Sequence, residues 1–332
     1  MIYYGVMKGK IFAGLRVVVS VGLIAFLVFS MREHLPRIGE TLTKTHPGLF
    51  SLALILFALN VVAISYRLQI LLVGEGLRIP FGSVVQLSFI GFFFNNFMPT
   101  AVGGDIVKAY YVQKHTGKPA KSFIAVFMDR FIGVFSFVVI ALLALAFSWE
   151  NTNDVLKGTI FIFALSSAIG LFIILNSGVA KIVLKALSAF QIWDIGGKLS
   201  KVYKAVHEYR NKKTLIIVSG GVSIASQSLY FFIVYLLGKS LGAELPILAI
   251  FLIMPLVSIV SMMPSLGGLG LREGALVALL GPVIGTDNAF SVAILLLATL
   301  LIMSLIGAMI YLSAAQFRIK GTDISKLEKY SV

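Results

Sequence analysis

Residues 96–109 read NFMPTAVGGDIVKA, and residues 264–273 read PSLGGLGLRE. Each stretch holds a proline, a glycine doublet and charge, and each ends an apolar run, 81–98 in the first case and 247–263 in the second. Proline ends an entering helix because it lacks an N–H and clashes with the preceding turn. Paired glycines permit a tight reversal with positive φ and let two backbones approach. The pattern predicts a chain that enters, turns near Pro99 or Pro264, and returns through 104–115 or 270–281. Upstream, Gly74-x5-Pro80 opens the first unit and Gly238-x7-Pro246 the second, so Pro99 lies 19 residues after Pro80 and Pro264 lies 18 after Pro246.

The rest of the chain says what these units are embedded in. Of 332 residues, 58% are hydrophobic and 13% charged. A soluble domain carries about 25% charged residues, so this one has too few to coat a surface facing water. Apolar runs at 11–31, 48–66, 121–147, 157–175, 213–237 and 289–315 each cover most of a bilayer, which takes about 20 residues for a core of about 30 Å. Backbone in lipid must satisfy its own hydrogen bonds, so these runs are read as helices. They lack the two-residue alternation of a membrane barrel. The fold class expected is all-α and polytopic, with six full spans plus two re-entrant helical hairpins.

Lysine and arginine set the orientation. The N-terminus, 105–121, 176–213 and the tail are rich in them and are assigned to the cytoplasm, in the cell membrane. Residues 148–156 and 282–288 carry acids without cations and face outward. Residues 32–47, with Arg32, Arg37 and Lys44, must also face outward, against the trend. Lys8, Lys10 and Arg16 before the run ending near Met31 resemble a signal peptide, but no small-x-small site follows, so this is read as a retained first helix. The organisation expected is a first helix in 1–47, repeat 1 in 48–147, a connector in 148–212, repeat 2 in 213–315 and a tail in 316–332. The two hairpins enter from opposite faces, so the repeat is inverted. Interrupted segments at matching places of an inverted repeat point to a transporter's midplane site. The basic, amphipathic segment 181–210 is expected to lie along the headgroups or to form a solvated loop helix.

Charges inside this bilayer are the candidate functional residues, since each costs at least about 2.5–3.5 kcal/mol unless paired or solvated. They are Asp105, Asp129, Arg130, Arg272 and Glu273, with Arg67 ending its span at the interface and Asn95, Asn96 and Gln227 adding hydrogen-bonding capacity. Adjacent helical residues point about 100° apart. Asp129–Arg130 and Arg272–Glu273 are therefore expected to pair across elements, Asp105 with Arg130 and Glu273 with a cation of the other hairpin. Two readings stay open. The charges form static ion pairs, with Arg67 and Arg130 snorkelling, or the acids meet a cationic or zwitterionic headgroup or carry protons, Asp105 and Glu273 being the carriers. The start of a returning half-helix can also hold an anionic headgroup. Phe92, Phe93, Phe94 and Phe97 are read as packing and lipid contact. The expected lining is Asn96, Pro99, Gly103, Gly104, Asp105, Asp129, Arg130, Pro264, Gly267, Gly268, Gly270, Arg272 and Glu273.

Several classes of chemistry find no support in the residues. There is no cysteine, hence no disulfide and no thiolate metal site. His34, His46, His115 and His207 are scattered, and no ATP-binding Gly-x4-Gly-Lys-Ser/Thr loop occurs. No His–carboxylate or Ser–His arrangement sits at membrane depth, so neither an enzyme nor a cofactor is expected. A net charge of +14 would suggest nucleic acid in a soluble protein. Here the cations sit in loops, and anionic lipid headgroups are the expected partners instead.

The stretches at 96–109 and 264–273, with Asp129-Arg130-Phe131-Ile132-Gly133 between them, resemble the lysylphosphatidylglycerol synthase transmembrane (flippase-like) family. The resemblance covers nearly the whole chain and implies translocation of a polar, aminoacylated or glycosylated lipid between leaflets. In the best-known members this region is fused to a cytoplasmic aminoacyltransferase domain. The present sequence ends shortly after its last apolar run, so no synthase domain is expected. Where the family usually has glutamate this chain has Asp129, which keeps the charge and shortens its reach. The alternative expectation is a scaffold that holds a separate lipid-modifying synthase or glycosyltransferase.

Overall fold

The structure, a computed structural model, describes residues 42–97, 103–175, 212–263 and 269–313, with Pro36, Glu40 and Tyr209 besides. The first apolar run at 11–31 and the basic segment 181–210 therefore lie outside the described residues, apart from Tyr209. Among the described residues all regular structure is helical, in nine elements: α1 Pro47–Gly74, α2 Phe81–Phe97, α3 Gly103–Thr116, α4 Pro119–Phe147, α5 Asp154–Leu175, α6 Lys213–Ser240, α7 Ile247–Val260, α8 Leu271–Ile284 and α9 Thr286–Ser313.

Five of these, α1, α4, α5, α6 and α9, are long and apolar enough to cross a membrane. Their outer faces carry bare apolar side chains, with Phe147, Val155, Ile162 and Ile217 each more than 70% exposed. In water such a surface would drive association; in lipid it is the resting state. The protein is thus an integral, multi-pass membrane protein. Helix α1 continues seven residues beyond Arg67, where its apolar run stops, because that arginine is buried rather than interfacial.

The four shorter helices form two pairs, α2 with α3 and α7 with α8. They hold 17, 14, 14 and 14 residues, or roughly 21–26 Å at 1.5 Å per residue. Contacts at the ends of the long helices locate them. Lys121 at the start of α4 and Lys212 at the start of α6 both reach the backbone at Gly74–Glu75, the end of α1. At the opposite end of the bundle the His46 N–H donates to the Ser240 carbonyl. Chain enters and leaves the α2–α3 pair at the Glu75 end. It enters and leaves the α7–α8 pair at the Ser240 end, where Val292 of α9 lies near Gly238. Neither pair runs the length of its neighbours. Asn96, one residue from the end of α2, bonds Leu300 and Ser304 near the middle of α9.

The two halves share one packing scheme. α1 packs on α2 as α6 packs on α7, α2 on α3 as α7 on α8, and α3 on α4 as α8 on α9. Likewise α1 meets α4 as α6 meets α9, α2 meets α9 as α7 meets α4, and α1 and α6 pack on each other. The α4–α6 contact has no counterpart of similar extent, and α5 packs extensively on α4 alone among the described helices. The helix ends repeat as well. After α1, the N–H groups of Gly76 and Leu77 donate to the carbonyls of Val73 and Leu72; after α6, those of Gly242 and Ala243 donate to Lys239 and Gly238. This is the same 5→2, 6→1 closure twice. It requires φ of +69° at Gly76 and +74° at Gly242, where a side chain is strained. Each glycine is followed four residues later by a proline, Pro80 or Pro246, so the Gly-x3-Pro spacing matches although Gly74 and Gly238 gave unequal ones.

Candidate functional site: the tips of the two short helix pairs

At the first tip, Asp105 is the third residue of α3. Its Oδ2 accepts from Arg130 Nε of α4 at 2.8 Å, and its Oδ1 lies 3.5 Å from Lys108 Nζ one turn on. The cross-element pairing of Asp105 with Arg130 is therefore present. Arg130 keeps about a third of its side chain exposed, whereas Asp105 and Lys108 are buried. Gly104 donates its N–H to Asn95 Oδ1 at 2.8 Å, which ties the start of α3 to the end of α2. A Cβ on Gly104 would overlap the Gly91 carbonyl of α2. The doublet Gly103–Gly104 thus serves close approach. It lies within α3 and takes no positive φ, contrary to the expected role in the reversal. The same crowding at Gly91, where a Cβ would sit 2.6 Å from Lys108 Cε, lays the lysine stem flat in the α2–α3 seam.

A second ionic set sits beside the first. Arg67 of α1 donates from Nε to Asp129 Oδ1 at 2.7 Å and from Nη1 to Ser223 Oγ of α6 at 2.7 Å. All three residues are buried. Gly133, one turn after Asp129, leaves room for the guanidinium, which would lie 3.2 Å from a Cβ there. Arg67 was expected at the interface, snorkelling; instead it joins three long helices. The reason is that Asp129 and Ser223 offer it partners at its own depth, so the side chain need not reach water. Arg67, Lys108 and Ser223 were not among the residues expected to line the site. Gly133 four residues after Asp129 was the one available signal, a vacancy on the acid's own helix face.

The second tip is built differently. Gly270, at φ +81°, is the N-cap of α8. Its N–H donates to Glu273 Oε2 at 2.7 Å, while Glu273 Oε1 accepts from Arg272 Nε at 3.0 Å and from Arg272 Nη2. This corrects the expectation that Arg272 and Glu273 would not pair with each other. A glutamate at the third helical position bends back to cap the helix start. That bend brings its second oxygen within reach of the long arginine next to it, despite the 100° between their Cα–Cβ directions. Glu273 meets no cation of the first tip among its described contacts. Pro99, Pro264, Gly267 and Gly268 lie outside the described residues. Asn96 is placed by its bonds to α9 rather than by the ionic set.

One further feature belongs to this seam. A cavity of about 250 Å3 opens between the start of α2 and the end of α3, lined by Ile79, Ser83, Leu87, Tyr111, Val112, Lys114 and His115. Its buried lining is apolar apart from Tyr111, and Lys114 and His115 at its edge are exposed.

Comparison with known proteins fits this arrangement. The family model described as the lysylphosphatidylglycerol synthase TM region matches residues 13–308. A UPF0104 membrane protein of Pyrococcus horikoshii is 26% identical over 325 residues, covering 89% of this chain and 95% of that protein. A UPF0104 membrane protein of Methanothermobacter thermautotrophicus is 24% identical over 280 residues, covering 77% and 80% respectively. With that family model matching most of its length, this chain belongs to the lysylphosphatidylglycerol synthase transmembrane-region family.

Proposed function

We propose that this protein translocates a polar lipid between the leaflets of the cell membrane, with both chain termini in the cytoplasm. In this reading six spans cross the bilayer and the α2–α3 and α7–α8 pairs are re-entrant. The first enters from the cytoplasm and the second from outside. The observation that carries the proposal is the ionic set Asp105–Arg130–Lys108, held where α2 stops, level with the middle of α4 and α9. The barrier to lipid flipping is the transfer of a hydrated headgroup into hydrocarbon. Fixed dipoles and charges at that level replace the lost water at little reorganisation cost, as preorganised sites do elsewhere. Arg130 is the member of the set that reaches the surface, so a headgroup meets it first while its acyl chains stay in lipid.

The step forms and breaks no covalent bond. Its test is reconstitution of the full chain into liposomes carrying a headgroup-labelled phospholipid, with an impermeant quencher outside. Translocating protein quenches the label in both leaflets; protein-free vesicles lose about half the signal. Quenching that stays at one half in vesicles shown to contain folded protein would overturn the proposal.

A further inference from the structure

Among the described residues, the first tip carries one more cation than carboxylates. Arg67, Lys108 and Arg130 face Asp105 and Asp129, three cations to two acids. Each acid is already held by an arginine at 2.7 or 2.8 Å, and Lys108 reaches only the far oxygen of Asp105 at 3.5 Å. Lys108 is nonetheless 93% buried. Of the other described carboxylates, Glu75 is committed to Lys212 at the end of α1 and Glu273 to Arg272 at the second tip. The rest sit in or beside the connections at helix ends. A buried cation without a full counter-charge is costly. The natural completion is an anion supplied by the ligand.

Two independent features point along the same seam. Lys108, Tyr111, Val112 and His115 succeed one another on one face of α3, and Ser83, Leu87 and Gly91 on one face of α2, each at helical spacing. The 250 Å3 cavity with Lys114 and His115 at its mouth opens at the lower end of that face, and Lys108 lies at the upper end. A lysine thus stands at each end of the seam, Lys114 at the cavity and Lys108 at the tip. Beside Arg130, the rings of Phe123, Phe127, Phe131 and Phe135 succeed one another along α4 with centroids 6.2, 6.0 and 4.7 Å apart, the first two pairs stacked and the last tilted, and Phe123 is exposed. An apolar ridge next to an anion-seeking site suits a molecule with both an anionic head and hydrocarbon chains.

We infer that the first tip binds the phosphodiester of a lipid whose headgroup carries net negative charge, with Lys108 as the residue that selects for it. This rests on the lipid-translocation reading and gives it a substrate class. Both acids of the set are committed to arginines, so among the described residues the tip offers an amino headgroup no unpaired carboxylate.

The test is native mass spectrometry of the full chain released from detergent, titrated with phosphatidylglycerol and with its uncharged methyl phosphotriester, each with and without millimolar inorganic phosphate. The expected result is retention of phosphatidylglycerol roughly ten- to a hundredfold tighter than the triester, the range set by one hydrogen bond to a charged group. Lys108→Gln should lower phosphatidylglycerol to the triester's level, with its folding checked by size-exclusion profile. The wild-type lipid pair tests the inference whether or not that variant folds. Equal retention of the two lipids by wild type, or a folded Lys108→Gln that keeps the preference, overturns it. Displacement by inorganic phosphate would make free phosphate the occupant and overturn the lipid. Translocation that ignores headgroup charge overturns this inference alone, while selective binding without translocation overturns the transport reading alone.

Discussion

The two short helix pairs share a backbone plan and differ in what their tips do with charge. At the second tip Arg272 and Glu273 are neighbours in sequence, neutralise each other and cap α8 within a single turn. At the first tip the charges come from different helices: Asp105 and Lys108 from α3, Arg130 and Asp129 from α4, Arg67 from α1. A self-contained pair can lock a turn in place. A set shared by three helices, with one more cation than carboxylates among the described residues, changes whenever those helices shift. The contrast teaches that one backbone plan can carry two different uses of charge, and under the transport proposal the first tip is the one that meets the lipid.

The strongest way to break this contrast is to neutralise each tip in turn. Asp105→Asn with Arg130→Gln should abolish lipid translocation in liposomes. Arg272→Gln with Glu273→Gln should leave the rate within about threefold, a loss of under about 1 kcal/mol at the barrier. Equal losses would make the second tip part of the pathway and end the asymmetry.

Next in size is the buried pair that joins the long helices. Asp129→Ala should destabilise the protein by about 3–5 kcal/mol, because it leaves the Arg67 guanidinium buried without a counter-charge. Adding Arg67→Met should restore most of that loss, since replacing both partners removes the stranded charge. Unfolding in detergent followed by circular dichroism reads both. A double variant as unstable as the single one would mean that Arg67 is held by Ser223 and packing instead.

The smallest effect tests what the halves have in common. Gly76→Ala and Gly242→Ala should each cost about 1 kcal/mol, the strain of a Cβ at positive φ. Matching losses in the same unfolding assay support one backbone plan, and a difference of more than about 1 kcal/mol would break the equivalence.

How much of this was legible in the sequence varies with the range of the interaction. That two apolar runs give short paired helices was legible from where those runs stop, at 81–98 and 247–263, but the Gly103–Gly104 doublet serves close approach to α2 rather than the reversal. The pairing of Asp105 with Arg130 was also legible, since two charges at one membrane depth have few alternatives. The role of Gly76 and Gly242 was not. With 31 glycines in the chain, only φ shows which ones close a helix, and Gly74 and Gly238 were the plausible wrong choices. Arg272–Glu273 was not legible from helical angle because the length of the arginine side chain bridges the 100° between neighbouring residues. Arg67 and Lys108 were missed for another reason: their burial is decided by helices that meet from 62 residues away in the first case, and by the bareness of Gly91 in the second.

Everything about the site depends on which sides of the membrane the connections occupy. The chain contains no cysteine, so each of Arg78→Cys, Lys118→Cys, Glu244→Cys and Thr286→Cys carries a single thiol, at an exposed position flanking a short helix pair. Labelling with an impermeant maleimide on intact cells and on inverted vesicles reads the side directly. The account predicts that positions 78 and 118 react only in inverted vesicles and positions 244 and 286 only on cells. Positions 78 and 118 reacting from opposite sides would mean that α2 and α3 together traverse the bilayer, and the account would fail.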